Sequence, residues 1–562
     1  EAMSESKPPI VILGAGINGA ALARELTVGG VSVVVVDTHD LAFGTTAYSS
    51  RLIHGGLRYL EYGEFGLVRE SLAERTRLLR LAPQFVRPLK LYIPVTNRFG
   101  GLFSSAARFL GLGRGKAAAK AASRGLWLVR LGLRLYDIYA RDPMLPKHAT
   151  VRSDRQSDVR IDPAHYPWLC SYYDAQILFP ERFVVALLDD ARRAAAEPGA
   201  SFELYAYHRA ELKGRTVEIF PVAGAEQPVM RVEPAAIVNA TGAWVDRTLA
   251  QLHVKSKTLM GGTKGSHFIT SNPRLRAALG DHGVYVEAAD GRPLFVLPLG
   301  DASLVGTTDL PFEGDPADAV ASPAELDYLL ETVNSVIPNV NLSRADIELH
   351  YSGVRPLPFV GPSAPAAVTR RHWIEENRDS LIPLYSIIGG KLTTCRSLAE
   401  ETAATIRNRL GLLPGQNSRE RLLPGAEAYP ASEQAVEAEC RRLADELGLT
   451  FAQVQTVWRL RGAETEAILK SCLSDDKTSL ADVDLPAAFA RWSIRNEWVR
   501  RLDDLVERRL MLLYDRRLSR GCLRQLAAIL VEAGLLRAEE AESEVERVAE
   551  RLKSHFGKQL AE

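Results

Sequence analysis

Cysteine is scarce in this chain, and the five present (Cys170, Cys395, Cys440, Cys472 and Cys522) never form a CxxC pair. That scatter argues against a disulfide framework or a zinc site and fits a reducing compartment. Long apolar runs are missing too. No stretch of about 18 uncharged apolar residues occurs, so no single helix is expected to cross a bilayer. Nor does an apolar stretch behind a charged leader follow Met3, so no secretory signal is expected. Net charge is absent: 69 Lys and Arg balance 69 Asp and Glu, leaving no global field for nucleic acid or an acidic partner. What remains is an ordinary globular composition, 46% hydrophobic and 25% charged. Its 562 residues exceed what one core usually supports, so two or three domains are expected.

The opening reads as a βαβ unit. Ile10–Leu13 is a short β-branched run, an Ala- and Leu-rich helix is expected from Asn18 to about Val28, and Val31–Val36 reads as a buried parallel strand. A helical pattern is expected from about Leu52 to Leu81, and mostly strands over 200–310, with a hairpin turning at Gly300-Asp301. Ser322-Pro323-Ala324-Glu325 combines proline at the first helical position with a capping-box glutamate, which predicts a helix running to Val336. Ile382–Ile388 is again a strand, followed by a helix from about Thr393 to Leu410. Beyond Pro424-Gly425 the strand signal ends and helices dominate, as in Glu433–Leu447 and Glu539–Phe556, so a boundary falls near 415–428.

One stretch lacks acids altogether. Arg75 to Arg134 holds thirteen basic side chains and no Asp or Glu, interleaved with Phe99, Leu102, Phe103, Phe109 and Trp127. Lys116, Lys120 and Arg124 share one helix face, and Arg130 and Arg134 another. A solvated face, or pairing with acids elsewhere in the chain, accounts for such a run as well as attraction to anionic lipid does.

Gly14-Ala15-Gly16-Ile17-Asn18-Gly19 is a G-x-G-x-x-G set between a strand and a helix. There the glycines permit a tight turn and close approach of a pyrophosphate to the helix N-terminus. Asp37 closes the second strand eighteen residues later, placed to accept from a ribose hydroxyl. Dinucleotide binding follows. Three further segments bear on which dinucleotide: Gly44–Tyr59, rich in hydrogen-bonding groups; Ile237–Trp244, a strand entering a small-residue turn; and Ser386–Thr394, a second strand–glycine–helix start. Late return segments of this kind have no place in a simple nicotinamide enzyme.

Together these segments resemble the FAD-dependent glycerol-3-phosphate dehydrogenase family (aerobic type), within the amino-acid-oxidase-like flavoenzymes. Lys264–His267, Gly306–Asp309, Tyr351–Leu357 and Asn496–Arg501 extend the resemblance over nearly the whole chain. Three departures stand out: Arg51 where the family usually has Lys, an apparent insertion over 97–125, and no match over 359–367. The resemblance implies an α/β plus α architecture: a Rossmann-type FAD-binding domain (8–90, 180–260 and 350–412) interleaved with a mixed-sheet substrate domain (91–179 and 261–349). A helical domain (425–562) would follow. It implies cofactor contacts at Gly14, Ala15, Gly16, Asn18, Gly19, Asp37, Thr45, Thr46, Ser49, Ser50, Leu52, His54, Gly55, Gly56, Ala240, Thr241, Gly242, Gly389, Gly390, Lys391, Leu392 and Thr393.

For the substrate it implies oxidation of sn-glycerol 3-phosphate to dihydroxyacetone phosphate. Arg58, Tyr59, Lys264, His267, Arg355, Arg370 (or its neighbour Arg371) and Lys391 would bind it, with Arg58, His267 and Arg355 catalytic. A phosphate dianion suits arginine's two-donor fork, and removing the hydroxyl proton needs a base, for which His267 is preferred over His54. No metal and no covalent flavin link, including one to Cys395, is expected. The implied acceptor is a membrane quinone, with O2 as the oxidase alternative and a non-catalytic flavin protein as a different class. The implied location is peripheral, on the inner face of the cytoplasmic membrane. The Trp498–Arg501 segment is a candidate to dock on the flavin domain, to join a second copy in a homodimer, or both.

Overall fold

The structure, a computed structural model, describes residues 8–97, 125–155, 158–196, 199–288, 292–359, 371–473 and 477–560. Lys116, Lys120, Arg124, Arg370 and the aromatic and aliphatic residues between 99 and 110 lie outside them.

The Ile10–Leu13 strand is fully buried and pairs in parallel with Val33–Asp37 on one side and Ala236–Asn239 on the other. Leu384–Ile388 and Phe202–Ala206 extend this sheet in parallel, and Trp373–Asn377 closes one edge antiparallel. Strands buried on both faces need continuous apolar sequence, which is why Ile10–Leu13 and Val33–Val36 contain little else. The Ile17–Val28 helix covers the sheet with small residues, Ala20, Ala21 and Ala23, and packs between Pro180–Ala195 and Cys395–Arg409. These elements match the expected Rossmann-type unit.

A second sheet of ten strands is mixed. Its centre pairs Val86–Val95 with Trp168–Ile177, and Thr263–Thr270 with both Ala302–Gly306 and Leu349–Arg355. The expected Gly300-Asp301 hairpin is present. So is the helix Pro323–Val336, with its proline and capping box.

Three boundaries differ from expectation. Leu52–Ile53 is a strand of this second sheet, followed by a 3-10 turn at Leu57–Tyr62, and the helix begins only at Phe65. Strand 86–95 starts inside the range assigned to the cofactor domain, and strand 349–355 belongs to the ten-stranded sheet. In each case the partner strand decides the placement, and it lies far away in sequence.

The chain beyond 425 is helical as expected. Its apolar residues share one core with the ten-stranded sheet, and its C-terminal helix Ala541–Phe556 packs on strand 349–355. Buried ion pairs join it to the parallel sheet. Arg182 meets Glu497 at 2.6 Å, Arg461 meets Asp189 at 3.2 Å, and Asp40 takes Arg508 at 2.6 Å and Arg509 at 2.7 Å. Trp498 packs edge-on against Phe202 and under Arg192, so the Trp498–Arg501 segment does dock on the flavin-type sheet.

The acid-free stretch is largely neutralised from elsewhere in the part described. Arg75 bonds Asp142 and Asp174, Arg77 bonds Glu74, Arg80 bonds Glu420, Arg87 bonds Glu433 and Lys90 bonds Asp158. For those five cations the structural reading holds. Helix Leu126–Ala140 is different: Leu126, Val129, Leu133 and Tyr136 face inward, while Trp127, Leu131 and Ile138 stay 48%, 55% and 59% exposed on another face. Among the described residues no helix is long and apolar enough to cross a membrane.

Glu497 carries the tail's attachment, since it accepts from Arg182, Arg461 and Ser493. Glu497→Gln should cost about 3–5 kcal/mol, because the buried Arg182 guanidinium loses its counter-charge, while Arg461 keeps Asp189 and Glu464. Urea denaturation checks the loss, and proteolysis near 410–430 should accelerate with it.

Candidate active site

One cavity of about 860 Å³ runs along the C-terminal edge of the parallel sheet. Its walls come from all three glycine segments: Gly14, Gly16 and Asn18; Ala240, Thr241 and Gly242; Gly389, Gly390, Lys391 and Leu392. Asp37, Thr45, Thr46, Ser49, Tyr59 and Arg355, also expected from sequence, line it too.

Gly14 has φ +101°, and a Cβ there would stand 2.7 Å from the Ala240 carbonyl oxygen, so only glycine fits the crossing of these two strand ends. At the helix N-terminus Ile17 N donates to Thr46 Oγ1 at 3.1 Å, which ties the 44–51 segment to the glycine turn. Asp37 Oδ2 accepts from Ala15 N at 2.7 Å and Oδ1 from His39 N at 2.8 Å. Burial raises the Asp37 carboxyl to about 6, despite these donors.

The part of the site expected to meet the substrate is built by sheet register. Thr263–Thr270 pairs antiparallel with Leu349–Arg355, setting His267 opposite Tyr351 and Thr263 opposite Arg355. Arg355 is fixed by Asp309 at 2.9 Å and by Thr307 Oγ1 and Thr308 O at 3.0 Å each. Lys391 Nζ donates to Ser71 Oγ at 3.1 Å and lies 4.5 Å from the Tyr59 ring centroid.

His267 is 2% exposed, stacks on Tyr351 at 5.0 Å, and shares a 2.8 Å hydrogen bond between Nε2 and Ser50 Oγ. Its Nδ1 has no partner among the described residues. Burial first, then Arg355 and Arg51, hold its pKa well below 6.5, so the ring stays neutral and able to accept a proton. That neutral form supports the fold above pH 6.5, and the support is lost as pH falls.

Several expected contacts fall elsewhere. Lys264 turns from the cavity to pair with Glu325 at 2.8 Å, because a buried carboxylate there demands a cation. His267 and Ser50 lie behind the cavity wall rather than on it. Arg58 sits half-buried in the 57–62 turn, off the wall, and Arg371 is exposed. Ala15 and Gly19 act in support, Gly19 because a Cβ would meet the Gly14 carbonyl oxygen at 1.9 Å. Leu52, His54, Gly55, Gly56 and Thr393 form a layer behind the wall: His54 N donates to Thr393 Oγ1, and Gly55 N to Tyr136 Oη. Cys395 is buried, and burial with Glu74 nearby pushes its thiol up to about 12, which leaves it unreactive.

Residues that the sequence reading passed over also line the cavity. His39 stacks on Phe43 at 4.2 Å beside Trp244, whose indole donates to Asp315 at 2.9 Å. These give flat apolar walls at the Asp37 end. Trp244 ends a segment that pointed to the site, which was the available signal; Asp315 had none.

Residues 9–405 match the model of the FAD dependent oxidoreductase family. The chain belongs to that family. Among curated relatives, the glycerol-3-phosphate dehydrogenase of Synechocystis is 35% identical over 75% of this chain and 74% of its own length. The aerobic glycerol-3-phosphate dehydrogenase of Escherichia coli is 30% identical over 89% and 93%. A Brucella abortus protein named D-erythritol 1-phosphate dehydrogenase is 31% identical over the same shares. The chain is thus a member of the FAD-dependent glycerol-3-phosphate dehydrogenase family. The structure of such a dehydrogenase from Bacillus halodurans, complexed with FAD, shares the fold at TM-score 0.70 and 20% identity, covering 98% of this chain and 95% of that one.

FAD is the cofactor of the family, and the site fits it. The Ile17–Val28 helix N-terminus faces the cavity for the pyrophosphate, and Asp37 stands at the ribose position. Two buried oxygens near the second glycine turn, Asn18 Oδ1 and Thr394 Oγ1, have no hydrogen-bond partner among the described residues. Asp37's raised pKa favours the protonated form without cofactor, a benefit full below 3.8 and lost as pH rises through about 6. Ribose hydroxyls need the carboxylate, so FAD affinity should weaken as pH falls through about 6. Flavin-quenching titrations should show that slope in the wild-type apoprotein and none in Asp37→Asn.

Proposed function

We propose that the enzyme oxidises the secondary hydroxyl of sn-glycerol 3-phosphate to the ketone of dihydroxyacetone phosphate and passes the electrons to a quinone in the membrane. The observation that carries this reading is the convergence of Arg355 and Lys391 on the cavity that also holds the glycine cradles. Two cations near a flavin-type turn suit a phosphate dianion better than the single carboxylate of an amino acid. The family membership supports the same substrate class.

Bound FAD supplies a two-electron acceptor for such a reaction. The chain's own residues do the rest. Arg355, held flat by Asp309 and the Thr307–Thr308 oxygens, orients the phosphate, with Lys391 as a second charge. His267 is the expected base for the hydroxyl proton; it lies behind the wall with Ser50 as its hydrogen-bond partner, so that role requires the wall to open to it when substrate binds. Its neutrality suits it to that role, and Tyr351 keeps the ring in plane. A four-carbon polyol phosphate is the second reading. It is favoured by the relative named for D-erythritol 1-phosphate, whose substrate has a similar phosphate-bearing end.

Quinone as acceptor requires access to a bilayer. Helix Leu126–Ala140 supports this with exposed Trp127, Leu131 and Ile138 beside exposed Arg134, an apolar strip with a cation that suits an anionic interface. We place the protein as a peripheral one on that basis.

Anaerobic addition of glycerol 3-phosphate should bleach the flavin of the loaded enzyme, while glycerol at the same concentration leaves it yellow. Arg355→Lys should raise the half-saturating concentration by roughly 10–100-fold at unchanged flavin content, the loss of a charge-assisted two-donor contact. Reoxidation should be faster with quinone in anionic vesicles than with O2. Equal bleaching by glycerol would overturn the phosphate reading, and faster reoxidation by O2 would make the protein an oxidase.

A further inference from the structure

The glutamate of a capping box has one task, to accept from the N-cap backbone N–H. Glu325 performs it for helix Pro323–Val336, accepting from Ser322 N at 2.9 Å. Its carboxylate does much more. It is 3% exposed and collects four further donors: Ser322 Oγ at 2.9 Å, and Lys264 Nζ, Ser266 Oγ and Thr308 Oγ1 at 2.8 Å each. Five donors saturate the roughly four lone-pair sites of a carboxylate. Three of them come from outside the helix, so helix capping does not account for them.

Two of those three adjoin residues of the site. Ser266 precedes His267 in the strand that pairs with Leu349–Arg355. Thr308 is buried and pinned twice at one oxygen, which donates to Glu325 and accepts from Ser266 N at 2.9 Å. Its main-chain oxygen accepts from Arg355 Nη2, and its neighbours Thr307 and Asp309 hold the rest of the guanidinium. Burial opposes the charge on Glu325, but Lys264 and the other donors outweigh it and hold the carboxyl at about 2. The anchor is therefore ionised throughout the working range.

We propose that Glu325 is a positioning residue: through Thr308 it locks the Thr307–Asp309 turn and so presents the Arg355 guanidinium to the phosphate of the substrate. The assignment rests on the reading of Arg355 as the phosphate clamp. It explains why Lys264, expected at the substrate, lies one layer back. It neutralises the carboxylate that fixes the clamp.

The test is the dissociation constant for inorganic phosphate and for glycerol 3-phosphate, measured by anaerobic calorimetry on the FAD-loaded protein with its flavin reduced beforehand by dithionite, so that neither ligand reacts, with flavin content and melting temperature recorded alongside. Thr308→Val removes only the hydroxyl that reaches Glu325 and keeps the main-chain oxygen. It should raise both constants by roughly tenfold or more, the scale of a lost hydrogen bond to a charged group. Thr308→Ser should restore them. Ser322→Ala weakens the helix cap without touching Thr308, so it should lower the melting temperature and leave both constants alone. Glu325→Gln, which keeps a cap acceptor, should match Thr308→Val and serves if valine does not fold. Wild-type affinity in Thr308→Val and Glu325→Gln, or an equal loss in Ser322→Ala, overturns the proposal. A wild-type enzyme that binds neither ligand fails earlier, at the clamp itself, and overturns both readings.

Discussion

Buried arginine–carboxylate pairing between the helical tail and the cofactor segment is the constraint on which the rest of the site depends. Asp40 lies three residues beyond Asp37 and is held by Arg508 and Arg509, both from the π-helical turn Asp504–Arg509. At the other end of that segment, Arg51 is fully buried between Glu181 at 2.8 Å and the Tyr514 hydroxyl at 2.5 Å. The 40–51 stretch carries Thr45, Thr46, Ser49 and Ser50, yet it has no regular secondary structure to fix it. Its two ends are instead clamped by charges that water cannot reach. Such pairs add little net stability against an apolar alternative, but losing one partner is costly, so they enforce one geometry. The tail therefore shapes the active site without lining it.

Sheet register supplies the second half of the arrangement. The Thr263–Thr270 strand is flanked by Ala302–Gly306 and Leu349–Arg355, so residues separated by up to about ninety positions meet within a few ångströms. His267 fits only because Gly306 opposes it: a Cβ at Gly306 would stand 2.0 Å from the imidazole Cδ2. Thr45 Oγ1 donates to Val354 O at 2.6 Å, joining the cofactor segment to the strand that ends in Arg355. Cofactor cradle and the proposed phosphate clamp are thus parts of one rigid frame.

Much of the cradle was legible in the sequence, because its signals are local. Gly14–Gly19, Asp37, Ala240–Gly242 and Gly389–Leu392 each announce a strand end, a turn and a helix start, and the structure brings them to one cavity. The substrate side was legible as a set of residues but not as a geometry. Nothing near Lys264 in sequence shows that Glu325 is its partner, and nothing near His267 shows that Ser50 and Tyr351 enclose it. The pairing of the acid-free stretch was illegible for the same reason, since the acids that answer Arg75, Arg80, Arg87 and Lys90 lie between 67 and 346 positions away. Leu52–Ile53 read as helix because its strand partner is Ala175-Gln176.

In the proposed reaction a phosphate held at Arg355 and Lys391 places a neighbouring secondary carbinol for oxidation. The most direct measurement is the rate of anaerobic flavin bleaching by glycerol 3-phosphate carrying deuterium at C2, compared with substrate deuterated at C1 or unlabelled. C2 deuteration should slow bleaching several-fold, and C1 deuteration should leave it unchanged. Bleaching slowed by deuterium at C1 rather than at C2, or no bleaching at all, would contradict the proposed reaction.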